Sequence, residues 1–175
     1  ATHQITFDEE KGSKFQTTVG FEILSGTSQQ SSDNVNHSYT PFYGTNHAHN
    51  GYMDFFYVGN RYLNTVGLQD YFLRLRYDPN NKFFLSLNAH QFLAAAEVFE
   101  GSEKLSNTLG TELDFTSGYV FNDVVSLQVG YSQFFFFFTF EYLQGVSNAS
   151  SVQNWGYLAL LVRPNMKNRF TGLQF

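Results

Sequence analysis

Several histidine, serine and acidic residues lie in one irregular stretch, 25–64. The histidine and acidic residues are of types that bind metals. His37, His47 and His49 precede Asp54, and imidazole with carboxylate is a side-chain set that binds zinc. A His-x-His pair on a strand would place both rings on one side, but the surrounding sequence is loop-like and fixes no third ligand. We therefore expect no metal and no cofactor.

Nucleophilic catalysis would need a serine, a histidine and an acid gathered at one place. Ser25, Asp33 and His37 occur in the same stretch, but no nucleophile motif frames them. The chain contains no Cys, which excludes disulfides and thiol chemistry. We expect no catalytic residues and no enzyme activity.

Charged residues recur in pairs at a spacing of two. Arg74 and Arg76 form one pair, and Glu112 and Asp114 form another. Side chains two apart on a strand point the same way. The pairs indicate either a mixed-charge lining that selects among ions and sugars or salt bridges that merely join neighbouring strands.

The clearest element is the stretch 109–133, which reads LGTELDFTSGYVFNDVVSLQVGYSQ. Apolar and polar residues alternate along it with a period of two, so that one face is apolar and the other polar. The alternation stops at Asn122-Asp123, a polar turn pair, and then resumes. The pattern predicts an antiparallel hairpin of two long strands.

The same alternation predicts other strands at 15–23, 71–77 and 83–90. A short strand is expected at 2–7, and the stretch 155–162 (WGYLALLV) is apolar on both faces, so parity alone does not assign its lipid face. The connections between strands are alternately long and short, which is typical of outer-membrane barrels with short periplasmic turns. The long ones are 25–64, 94–107 and 141–153, and the short ones are 78–81 and 122–123.

Composition separates the chain from most soluble domains. Charged residues make up 14% and aromatic residues 19%, whereas soluble domains average about 25% charged. The net charge of −5 argues against a nucleic-acid partner. No run approaches the ~20 apolar residues of a membrane helix, and no helix is predicted. The first ten residues, ATHQITFDEE, contain no predicted signal peptide.

A soluble sandwich and an outer-membrane barrel both alternate in this way, because each has one apolar and one polar face. The two predicted strands of the 109–133 hairpin run roughly 11 to 14 residues, which exceeds the usual 5–6 and suits a tilted membrane crossing. The lipid-facing residues are expected to be Phe21, Leu73, Leu75, Leu85, Leu87, Leu113, Phe115, Leu127 and Val129. The pore-lining residues are expected to be Glu22, Arg74, Arg76, Asn88, His90, Glu112, Asp114 and Gln128.

A run of five Phe at 134–138 interrupts this alternation. A strand cannot point five consecutive side chains to one face. Two or three of them are therefore expected to face inward or to lie at the rim.

Ordered motifs resemble the C-terminal part of alginate-export-type outer-membrane porins of Bacteroidetes. They are YGTNHAHNGYMDFFYVGN, TVGLQDYFLRLRYDP, LGTELDFTSGYVFNDVVSLQVGYSQFF and NWGYLALLVRP, and the resemblance covers about Phe15 to Pro164. It implies a larger barrel, of which 1–175 would be a single segment, with 25–64 as a long loop outside or folded into the lumen.

These observations predict an all-β, transmembrane antiparallel barrel in the bacterial outer membrane. Its expected partners are outer-membrane lipid, small hydrophilic solutes or saccharides that pass by diffusion or export, and other outer-membrane proteins. An accessory barrel bound to another membrane protein and a soluble β-sandwich binding module are the alternatives.

Overall fold

Long strands make up most of the computed structural model, which describes residues 1–32, 35–39, 50–56 and 66–163. Seven of them form one antiparallel sheet in which every strand pairs with its neighbours in the order β1-β2-β3-β4-β7-β8-β9. The strands are β1 (Thr2–Asp8), β2 (Ser13–Leu24), β3 (Leu68–Asn80), β4 (Phe83–Leu93), β5 (Phe99–Glu100), β6 (Glu103–Lys104), β7 (Thr108–Val120), β8 (Val125–Phe136) and β9 (Val152–Val162).

The sheet is a meander whose two edges are open within the described residues. There β1 pairs only with β2, and β9 pairs only with β8. The all-β class predicted from the alternation is confirmed. Closure of the sheet into a barrel is not observed among these residues.

The connections alternate in length as the sequence predicted, so the sheet has a long-connection end and a short-turn end. At the turn between β7 and β8, Asn122 Oδ1 accepts hydrogen bonds from the N–H groups of Val124 and Val125, both at 2.9 Å. The short connections are 9–12, 81–82 and 121–124, and the long ones are 25–67, 94–107 and 137–151.

Two of the long connections contain structure that the sequence did not predict. The connection 94–107 holds the small hairpin β5–β6. The connection 137–151 begins with a helix, α1 (Phe138–Gln144), so the expectation of a helix-free chain is wrong. Within the described part of the chain, no helix has the length and apolar character needed to cross a bilayer.

The five-Phe run marks the change from strand to helix. Phe134 is fully buried and Phe135 points to the opposite side, because β8 continues to Phe136. Phe137 and Phe138 are exposed where α1 begins, and Phe140 is buried again within the first turn of the helix. The run therefore serves two elements, and its side chains do not share one face.

A hydrophobic core lies at the long-connection end. Its centre is an aromatic cluster of Phe56, Phe92, Phe134 and Phe140, with ring centroids of adjacent pairs 4.5 to 6.0 Å apart. Such spacing is favourable for aromatic pairs. The core closes one end of the sheet and leaves the middle to polar residues. Its other buried members are Val66, Leu68, Ala94, Val98 and Leu109.

Candidate functional site

The sheet sorts its side chains onto two faces of opposite character. Cross-strand partners such as Arg74 and Asn88, or Leu75 and Leu87, lie on the same side. All the residues predicted to line a pore fall on one side, here called the polar face, and all those predicted to meet lipid fall on the other, the apolar face. The two predicted sets therefore lie on opposite faces of the sheet.

Burial is inverted relative to a soluble sheet. On the polar face Asp114 and Gln128 are each 1% exposed, whereas on the apolar face Phe21 is 68% and Val129 43% exposed. The buried polar and charged side chains of the sheet are Asp70, Asp78, Asn88, His90, Glu112, Asp114, Thr116, Ser126, Gln128 and Ser132.

His90 is the centre of a polar cluster in the middle of the sheet. Its Nδ1 lies 2.9 Å from Asp70 Oδ1 on β3, and its Nε2 lies 4.0 Å from Asp114 Oδ2 on β7. Phe72 and Phe92 cover the ring at centroid distances of 5.8 and 5.5 Å. A buried imidazole needs such partners, because an unpaired polar group in this environment is costly.

Residues 50–56, here called the strap, lie across the polar face. The N–H groups of Tyr52 and Met53 both donate to Oε1 of Glu112, the second at 3.0 Å. Asn50 donates to Glu22 at 2.9 Å, so the strap is attached to β2 as well as to β7.

Two features of the strap show how closely it fits the sheet. Gly51 has φ +84°, and a Cβ built there would lie 2.6 Å from the Glu112 carboxyl group, so only glycine fits. Asn88 donates to the Tyr52 hydroxyl at 3.1 Å. Burial, with a smaller contribution from the Asp114 carboxylate, raises the pKa of Tyr52 above its usual value.

The two predicted arginines lie nearer the short-turn end. Arg76 makes a bidentate ion pair with Asp78, at 2.8 and 2.9 Å, and its guanidinium stacks 4.1 Å above Phe84. Arg74 stacks 4.6 Å above Phe72. Among the described residues neither arginine pairs with Glu112 or Asp114. Arg76 also borders a cavity of about 450 Å³ that is lined by amide, charged and aromatic side chains.

Gln128 lies at the other side of the polar face. Its amide donates to the hydroxyl of Tyr157 on β9, which ties the last two strands of the sheet together. The polar face therefore has hydrogen-bonded or ionic groups on β2, β3, β4, β7, β8 and β9.

Sequence reasoning missed two members of the polar cluster. Asp70 immediately precedes the predicted strand at 71–77, and extending the alternation by one residue would have placed it on the same side as Phe72 and Arg74. Ser132 has the same parity as Gln128, and it pairs in register with Asp114. The period of two was therefore the signal that could have found both.

The residues considered for metal binding and catalysis are not assembled into a site where the structure describes them. Across the described ranges no three His, Cys, Asp or Glu side chains are grouped to hold a metal. The backbone N–H of His37 donates to Thr27 Oγ1 at 2.7 Å. His47, His49 and Asp33 lie outside the described residues, as does much of the predicted loop 25–64.

The polar face is rich in hydrogen-bonding and charged groups. It presents carboxylates, an imidazole, amides and hydroxyls around the strap. Comparison with protein-family models, with curated proteins and with solved structures found no match for this chain.

Proposed function

We propose that this chain forms part of the wall of a bacterial outer-membrane β-barrel that passes small hydrophilic solutes or saccharides by passive diffusion or export. One observation carries the proposal: one face of the sheet carries polar and charged side chains, whereas the other exposes large apolar ones. Transmembrane barrels distribute residues in this way, because their outer face meets acyl chains and their inner face meets water. The apolar face is accordingly assigned to lipid.

The apolar face is continuous across neighbouring strands. Leu75, Leu87 and Phe115 oppose one another on β3, β4 and β7, and Val129 opposes Leu158 on β9. Soluble monomers rarely expose contiguous apolar patches of more than a few hundred Å². A bilayer would cover this surface without a second layer of protein.

The mixed charge of the polar face supports a small hydrophilic solute. Arg74 and Arg76 are offset there by Glu22, Glu112 and Asp114. A conduit for a strongly anionic polymer would need a basic lining, which this segment does not provide. Neutral saccharides and other small polar solutes fit this lining better.

An accessory barrel that binds another outer-membrane protein is the second candidate. The strap and the aromatic cluster favour it, since both occupy the polar face and narrow the space beside it. In that case the interior would be closed, and the chain would contribute a surface to a complex.

Extraction and gel mobility test the membrane assignment. The full-length protein should fractionate with outer membranes, require detergent for extraction and run at a different apparent mass after heating. A protein that is monodisperse in detergent-free buffer, with one mobility before and after heating, would contradict the proposal.

Conductance in a planar bilayer separates the pore from the accessory barrel. We expect discrete channel openings from the refolded protein, with ions of both signs passing because the lining has mixed charge. A protein that inserts into the bilayer but shows no openings would favour the accessory barrel.

A further inference from the structure

A cavity of about 450 Å³ lies at the short-turn end of the polar face. Its walls come mainly from β1, β2, β3 and β4 and from the turns that join β1 to β2 and β3 to β4. Pockets for small molecules usually measure about 300–1,000 Å³, so the cavity has room for a molecule of roughly monosaccharide size.

Backbone hydrogen bonds hold the two turns in place around this cavity. The N–H of Asn81 donates to the carbonyl oxygen of Lys11 at 3.0 Å, and the N–H of Val120 donates to the carbonyl oxygen of Lys82 at 2.8 Å. Gly12 has φ +72°, and a Cβ built there would clash with the Asn81 side chain. The fold therefore sets the shape of the cavity.

Several groups of the lining are already engaged with one another. Asp78 accepts hydrogen bonds from Arg76 at 2.8 and 2.9 Å, and the Arg76 guanidinium covers the Phe84 ring at 4.1 Å. Gly118 lies against the same ring, since a Cβ built there would clash with it. The ring is only 8% exposed, so it is not a platform on which a sugar could stack.

Two lysines of the lining retain ammonium groups that are not ion-paired. Within the described ranges neither Lys14 nor Lys82 forms a salt bridge. Lys14 is the register partner of Asp78, but that carboxylate is bonded to Arg76. The other acid of the lining, Glu9, is exposed in the β1–β2 turn, where water and salt screen its charge. Three cations against two carboxylates give the lining a net positive charge.

We propose that this cavity binds a small phosphorylated solute, such as a sugar phosphate, and that Lys14 and Lys82 hold its phosphate group. Ammonium groups on long, flexible stems bind phosphate as point charges, whereas a planar carboxylate is bound best by an arginine fork, and Arg76 is already paired. The amides of Gln16 and Asn81 line the same cavity and provide hydrogen bonds for the hydroxyl groups of the solute.

This inference rests on the proposed function, which assigns the polar face to water, and it names a class of solute for that face. The two are tested separately. Binding is measured on folded protein in detergent and needs no open pore, whereas conductance is measured with simple salts.

Isothermal titration calorimetry of the full-length protein, refolded in detergent, tests the inference with glucose 6-phosphate as the probe and glucose as the neutral comparison. We expect one glucose 6-phosphate per chain and at least about tenfold weaker binding of glucose, because glucose lacks the charged group. Affinity for glucose 6-phosphate should fall as salt is added, since neither lysine is buried.

Lys14→Met and Lys82→Met should each lower the affinity for glucose 6-phosphate about tenfold, because each removes one ammonium group and keeps most of the side-chain volume. Lys82 is exposed in its turn, so this variant should fold as the wild type does.

Lys11→Met is the matched control. Lys11 lies in the β1–β2 turn, pairs with Asp8 at 3.0 Å and is not part of the lining, so its loss should change affinity by no more than about twofold. The proposal would be overturned by no binding to the folded wild-type chain or by equal affinities for glucose and glucose 6-phosphate. Equal effects of Lys82→Met and Lys11→Met would overturn it as well.

Discussion

An arginine scan along one strand distinguishes lipid from water at the apolar face. Val125 and Val129 are the same residue type on β8 and point to the same side, opposite Val162 and Leu158. Four residues of strand span about 14 Å, which is about 10 Å of depth at a tilt of about 45°. Val125 directly follows the short turn, so it should lie near the interface when Val129 lies deep.

The two environments predict different costs for Val129→Arg. At the middle of a bilayer an arginine costs about 2–4 kcal/mol, and near the interface about 0–1 kcal/mol. In water, a substitution at a side chain that is 43% exposed should change stability by only about 0.5 kcal/mol. The bilayer value for Val129→Arg corresponds to a change of about 30- to 900-fold in the folding equilibrium.

Denaturant titration of folding into lipid vesicles measures both variants. We expect Val129→Arg to lose about 2–4 kcal/mol and Val125→Arg at most about 1 kcal/mol. Backbone hydrogen bonding is matched, because both residues are paired in the same strand. Losses that are equal and small at the two positions would refute the assignment of this face to lipid.

Three further predictions concern the strap. Gly51 and Gly101 both have positive φ, but only a Cβ at Gly51 would clash with Glu112. Gly51→Ala should therefore destabilise the protein by about 1–3 kcal/mol more than Gly101→Ala in chemical denaturation. Equal losses of stability would contradict the close fit of the strap. Glu112→Ala leaves two strap N–H groups without their acceptor. This variant should therefore show higher conductance and faster proteolysis of the strap, whereas Glu112→Gln should leave conductance and proteolysis unchanged. Identical behaviour of the two variants would argue against Glu112 as the residue that holds the strap. The pKa of Tyr52 is raised, so its neutral hydroxyl stabilises the folded state below about pH 10, and this stability is lost as pH rises through the raised pKa. Tyr52→Phe should abolish that loss in an alkaline titration of Tm. An alkaline profile that is unchanged in the variant would refute this prediction.

The strands and their faces were predictable because a period of two is local information. Each residue needs only its neighbours in the chain to be assigned to a side. Leu109 departs from this rule, because its parity in the stretch 109–133 is that of the apolar side chains Leu113 and Phe115. A register shift between Phe92 and Leu93 turns Leu109 into the core, where it is 1% exposed.

The strap and helix α1 were not predictable for physical reasons. The hydrogen bonds from Tyr52 and Met53 to Glu112 join residues about sixty positions apart, and no local pattern encodes such contacts. The helix FTFEYLQ begins without a side-chain N-cap hydrogen bond. It is also rich in aromatic residues, which favour strands.

Fluorescence quenching at a single introduced cysteine tests the central claim most directly. The chain contains no Cys, so Val129→Cys and Gln16→Cys each provide one labelling site, on the apolar and polar faces respectively. In vesicles, a fluorophore at position 129 should be quenched by nitroxide lipids and protected from iodide, and one at position 16 should show the reverse. Quenching by iodide and not by nitroxide lipid at position 129 would contradict the account.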